Sequence, residues 1–78
     1  MTDYDNIETR IRIGRRIAEL RKSKGISTIQ MAEFTGLRRS TIWRIESGKF
    51  PSNIDLIGKI ACALGCRLDV IEDEKNSQ

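Results

Sequence analysis

The chain has 78 residues, 38% hydrophobic and 32% charged, which suits one small globular core and excludes both a disordered chain and a two-domain protein. It has no histidine and only two cysteines, Cys62 and Cys66, so His–Cys zinc sites, Ser-His-Asp triads, Cys-His nucleophiles and a disulfide framework are excluded. The net charge of +3 is unevenly laid out: residues 1–9 carry only acids (Asp3, Asp5, Glu8), residues 10–50 carry eight Arg and three Lys against Glu19, Glu33 and Glu46, and residues 51–78 carry three bases against five acids.

The first predicted helix spans about residues 6–23. Glu8 lies three residues past Asp5, as in a capping box. Ile7, Ile11, Ile13, Ile17 and Leu20 recur at helical spacing among Arg10, Arg12, Arg15, Arg16, Glu19 and Arg21. Lys22, Lys24 and Gly25 suit its C-terminus. Ile7 and Ile11 serve either extra packing or a second dimer contact.

Ser27 is the expected N-cap of a helix over about 28–34, with Met31 and Ala32 inward and Gly36 as its stop. A third helix over about 38–47 turns Ile42 and Ile45 inward and ends at Gly48, and Phe50-Pro51 breaks the chain again. Ser52 and Asp55 form the next expected capping pair. Ile54, Ile57, Ile60, Ala61 and Leu64 form the apolar face of a helix over about 53–64, closed by Gly65. The expected fold is an all-α bundle of four to five short helices. Residues 1–6 read as a flexible N-terminus, 7–71 as the domain and 72–78 as a polar tail.

The informative stretch is Thr28 to Gly48. Thr35-Gly36-Leu37 joins two short helices by a turn too tight for an antiparallel hairpin, which makes a helix-turn-helix. At 100° per residue, inward Ile42 and Ile45 leave Ser40, Trp43, Arg44 and Ser47 facing out, flanked by Arg39 and Thr41. Arg binds guanine O6 and N7 bidentately, Ser and Thr are permissive, and Trp meets a thymine methyl or a sugar. The alternative is an ordinary solvated helix face, against which an outward Trp argues.

The run from Ile13 to Gly65 resembles the lambda-repressor-like Cro/Xre helix-turn-helix family. The resemblance is carried by Arg21, the Ser27–Ala32 segment, Gly36, the IxRIExGK segment at Ile42–Lys49, Pro51-Ser52, and AxxLG at Ala61–Gly65. It implies a domain whose third helix enters the major groove and which binds DNA as a symmetric dimer. It implies base reading by Arg39, Ser40 and Arg44, with Trp43 beside them. It implies phosphate contacts at Thr28, Ser47 and Lys49. It also implies a structural pair between Arg21 and Glu46, and the helical wheel supports this, because Glu46 lies only about 70° from the apolar centre.

The sequence departs from the family pattern at three places. Thr28 stands where Gln is usual. Arg38 stands where a Ser or Thr N-cap is usual, which gives up a cap of ~1 kcal/mol but adds a cation. Arg67 takes the cap position of the family's fifth helix, and Cys66, Leu68 and Val70 alternate with Arg67, Asp69 and Ile71 at strand spacing. A lone strand leaves its backbone unsatisfied, so the same segment of a second subunit is its expected partner. This resembles the antitoxin-type branch of the family, with Cys66, Leu68, Val70 and Ile71 as dimerisation residues. The segment is open between strand and fifth helix. Cys62 reads as a core-flanking helix residue.

The expected function is a sequence-specific transcriptional repressor, acting as a homodimer on a palindromic operator. Arg39, Ser40 and Arg44 then read bases, while Thr28, Arg38, Ser47 and Lys49 position the backbone. The alternative is an antitoxin that binds a toxin protein and represses its own operon. An enzyme, a cofactor, a small-molecule substrate and a membrane partner are not expected. The acidic start and the absence of a long apolar run point to the cytoplasm.

Overall fold

Each of the four helical patterns becomes a helix in a computed structural model that describes residues 7–49 and 52–72. In chain order these are α1 (Ile7–Ser23), α2 (Thr28–Thr35), α3 (Arg39–Glu46) and α4 (Ile54–Ala63). Among the described residues, no helix is long and apolar enough to cross a membrane.

The core takes apolar side chains from every helix. Ile17 of α1, Met31 of α2, Ile42 and Ile45 of α3, Ile60 of α4 and the adjoining Leu64 form one buried cluster. Met31, Ile42 and Ile60 lose all contact with solvent. Each such side chain contributes roughly 1.5–3 kcal/mol of burial. Ile13, Leu20, Ile26, Leu37, Leu56 and Ile57 pack around this cluster half-buried.

The turn between α2 and α3 is built by two neighbours. Gly36 takes the left-handed conformation at φ 74° and donates its N–H to Ala32 O. The buried Thr35 hydroxyl donates to Met31 O at 2.8 Å and accepts from Leu37 N at 3.2 Å. One side chain thus bridges the last turn of α2 and the approach to α3.

Several expectations are corrected. The N-cap of α4 is Asn53, whose side chain accepts from Leu56 N at 2.7 Å, and not Ser52. A cap must directly precede the first helical residue, and Ser52 stands one position too early. Ile54 is 74% exposed, because it stands at the first position of α4 beyond the core's edge, whereas Leu56 and Ile57 of the same turn reach the core. Cys62 is exposed rather than core-flanking, whereas Cys66 packs against the core. Ile7 and Ile11 lie at the rim, both more than 40% exposed. Within the single chain, residues 66–72 form neither the expected strand nor a fifth helix. Among the described residues there is no other strand with which it could pair. The Asp5–Glu8 capping box and the Phe50-Pro51 break lie outside the described residues.

Candidate nucleic-acid interface

The interface is built on α3, whose two sides differ sharply. Ile42 and Ile45 anchor one side in the core at 0% and 4% exposure. Arg39, Ser40, Trp43 and Arg44 all stand exposed on the other, as the 3.6-residue period requires. Trp43 is 58% exposed, a large aromatic held in solvent. Thr41 is half-buried at the edge of the face.

Three devices hold α3 in place. The first is the Arg21–Glu46 pair, in which Arg21 Nε and Nη2 donate to Glu46 Oε2 and Oε1 at 2.6 and 3.0 Å. Arg21 Nη1 also donates to Ile26 O at 2.9 Å, so one guanidinium ties α1, the α1–α2 loop and the end of α3 together. The hydrogen bonds to Glu46 raise the Arg21 pKa above its already high ordinary value, against the opposing effect of burial. The second device is Gly14 of α1. A Cβ there would meet the Glu46 carbonyl at 2.7 and 2.9 Å and collide with Ile45 O, so only glycine lets the two backbones approach this closely. The third is Gly48, which takes φ 69° just past α3 and lies against Ile11.

The charge layout follows from these contacts. Glu46 is the one acid of α3, and its pairing with Arg21 turns it inward. The outer face is therefore left with cations only, Arg39 and Arg44, flanked by Arg38 before α3 and Lys49 after it. Arg38 occupies the N-cap position with no side-chain cap hydrogen bond. Lys49 is anchored by its own N–H, which donates to Arg44 O at 2.9 Å. The Ser47 hydroxyl donates to Arg44 O at 3.2 Å. Thr28 opens α2 half-buried, behind a capping box in which Gln30 N donates to Ser27 Oγ and Ser27 N donates to Gln30 Oε1.

The structure thus gathers Arg39, Ser40, Trp43 and Arg44 on one face, with Arg38, Ser47 and Lys49 at its two ends. Cys66, Leu68, Val70 and Ile71 lie apart, after α4. Leu68 rests over Gly58 and, with Ile13, Ile57 and Val70, lines a cleft between α1 and α4. Sequence reasoning missed Gly14, Gln30 and Thr35. A glycine inside a strong helical pattern was the available signal for Gly14. The Ser27-x-x-Gln30 spacing was the signal for the capping box. Thr35 carried no separable signal, because its role depends on tertiary burial.

A helix-turn-helix family model matches residues 17–71. The restriction-modification controller protein C.AhdI from Aeromonas hydrophila is 33% identical, with a TM-score of 0.73 over 77% of this chain and 91% of that one. A toxin–antitoxin module from Streptococcus pneumoniae is 30% identical, with a TM-score of 0.70 over 92% of this chain and 81% of that one. No curated protein sequence matches.

Proposed function

This chain belongs to the helix-turn-helix family and is a DNA-binding transcriptional regulator, and from that premise we propose that it acts as a homodimeric repressor on an inverted-repeat operator. The observation that carries the proposal is the two-sided α3: a buried Ile42–Ile45 edge opposite an exposed, purely cationic face bearing Trp43. In this reading Arg39, Ser40 and Arg44 contact base edges in the major groove, with Trp43 and Thr41 beside them. Arg38, Lys49, Ser47 and the N-terminus of α2 at Thr28 contact phosphates, which set position and orientation. Glu46 and Arg21 touch no DNA and fix the angle of α3. The protein would work in the cytoplasm on chromosomal DNA.

The test is selection of random duplexes by the purified protein, repeated with the Arg39→Ala/Arg44→Ala variant. An enriched inverted repeat that vanishes in the variant is the expected result, and the half-site spacing reports the dimer geometry. Salt-sensitive binding to every duplex without enrichment would overturn the specific-repressor reading.

A second reading is favoured by the toxin–antitoxin module, whose match extends over 92% of this chain. In it the same DNA-binding domain also holds a partner toxin. A toxin-like reading frame beside the gene, whose product co-purifies with this chain, supports it. Purification of this chain alone from its native host sets it aside.

A further inference from the structure

Two large side chains reach straight out from α3, and they differ in chemistry. With the direction midway between buried Ile42 and Ile45 taken as inward, Ser40 and Ser47 stand within about 10° of straight outward, and Trp43 and Arg44 stand about 50° to either side. The serines are short, and the Ser47 hydroxyl is turned back to donate to Arg44 O at 3.2 Å. Trp43 and Arg44 therefore form the crest of the face. Trp43 is 58% exposed and is not part of the core cluster, so the fold does not use its ring. The direction in which it leaves the helix is fixed all the same, because the Arg21–Glu46 pair and the close approach at Gly14 set the rotation of α3.

We propose that Trp43 reads the C5-methyl group of one pyrimidine in each half-site, a thymine or a 5-methylcytosine, so that binding depends on that single methyl and responds to methylation of cytosine there. This rests on the groove-reading α3 proposed above and adds the group that the aromatic ring recognises. The choice follows from what a duplex offers. Sugars and phosphates line the walls of the major groove, and base edges form its floor. A side chain on the crest of an inserted helix meets the floor rather than the walls. That floor presents hydrogen-bond donors, acceptors and one bulky apolar group, the C5-methyl. The indole is an apolar plane with a single N–H donor, so most of its area finds a match only in the methyl. Arg44 beside it supplies the paired donors that a guanine requires. Unmethylated cytosine carries hydrogen where thymine carries the methyl, and methylation at cytosine C5 puts the same group in the same place. The ring therefore accepts thymine and 5-methylcytosine alike and disfavours cytosine.

The test uses the full chain and the duplex enriched by selection, read by fluorescence anisotropy of the labelled DNA. Each thymine of a half-site is replaced in turn by deoxyuridine, which removes only the methyl. One such replacement is expected to weaken binding by about four-fold, the worth of one buried methyl, and the same replacement in both half-sites by about fifteen-fold. Trp43→Ala should bind the parent duplex more weakly and lose this sensitivity, whereas Trp43→Phe should keep part of it. Cytosine at the same position should bind weakly. 5-Methylcytosine should regain about four-fold over cytosine with the parent chain and nothing with Trp43→Ala. Trp43 is exposed, and circular dichroism checks that both variants keep their helices. An enriched site on which no single deoxyuridine matters would overturn the methyl contact while leaving the groove-reading α3 standing. So would a deoxyuridine that weakens the parent and Trp43→Ala equally, and a Trp43→Ala variant that weakens every duplex alike would place the ring on a sugar instead. Selection that enriches no duplex at all would overturn the groove-reading α3, and the methyl contact with it.

Discussion

Arg21 and Glu46 are 25 residues apart in sequence and meet through two parallel hydrogen bonds of 2.6 and 3.0 Å. Their side chains are only 10% and 11% exposed, so this pair is closer to a buried ion pair than to a surface one. Removing one partner strands the other's charge away from water, at a cost of about 3–5 kcal/mol. That is a large share of the ~5–15 kcal/mol a domain has in total. Arg21→Ala and Glu46→Ala should each lower the urea midpoint by this order. The Arg21→Met/Glu46→Leu double variant should lose much less than the sum. Additive losses would mean that the two residues act separately. The pH behaviour has a definite sign. The folded Arg21 pKa is raised, so its contribution is complete below the unfolded value and is lost only as pH rises through the folded one. No Arg21-linked loss of stability should occur between about pH 6 and 10.

Gly14 and Gly58 both interrupt helices, and they should respond to alanine in opposite ways. A Cβ at Gly58 meets only the Leu68 Cδ1 methyl at 3.9 Å, an ordinary contact. Gly58→Ala should therefore stabilise the domain by roughly 0.5–1 kcal/mol through reduced backbone entropy. At Gly14 the new methyl meets the carbonyls of Ile45 and Glu46, which are backbone and cannot rotate aside. The helix-propensity gain of about 1 kcal/mol is then outweighed by an overpacking cost of about 1–3 kcal/mol or more. Gly14→Ala should lower the melting temperature, and it should also weaken DNA binding because α3 must move. Equal thermal shifts in the two variants would contradict the close approach of α1 and α3.

The start of α4 separates two adjacent polar residues. Asn53 Oδ1 accepts from Leu56 N, so Asn53→Ala should cost about 1 kcal/mol as a lost cap. The Ser52 hydroxyl is buried with no hydrogen-bond partner among the described residues. Ser52→Ala removes a polar group that gains nothing in the fold, so it should be neutral or mildly stabilising. Thermal unfolding of the two variants decides the matter. A larger loss at Ser52 than at Asn53 would return the cap to Ser52.

The helices were legible in the sequence because their periodicity is local. Ile42 and Ile45 against Trp43 and Arg44 set the rotation of α3, and the rotation alone exposes the face that now carries the functional reading. What escaped depends on other parts of the chain. Gly14 is explained by carbonyls more than thirty positions away, and Ile54 by where the core ends rather than by its own apolar character. The choice between Ser52 and Asn53 turned on a one-residue shift of the helix start, which two neighbouring polar residues leave ambiguous. The 66–71 segment has strand spacing, yet spacing does not supply a pairing partner, and among the described residues there is no strand beside which it could form one.

Arg44 and Lys49 should separate specificity from affinity. Arg44 stands on the outer face of α3, while Lys49 lies beyond its end with its N–H bound to Arg44 O. Arg44→Ala should weaken the preferred site by about 1–3 kcal/mol and relax one base position. Lys49→Ala should weaken all duplexes alike and reduce the salt slope by about one. Titrations on matched and scrambled duplexes at several salt concentrations measure both. Equal losses on every duplex for both variants would place Arg44 on phosphate as well.

Arg38 should reveal a trade between folding and binding at the start of α3. Its backbone has the extended N-cap conformation, φ −78° and ψ 149°, but its side chain caps nothing. Serine at this position can accept from the backbone N–H two or three residues on, which is worth about 1 kcal/mol. Arg38→Ser should therefore raise the melting temperature. The same substitution removes a cation from the end of the face where the phosphates would run, so binding should weaken on every sequence and its salt dependence should flatten. A variant that is both more stable and equally tight on DNA would show that Arg38 stays clear of the duplex. A variant that is less stable would mean that the arginine stem packs on α3 and contributes more than the missing cap.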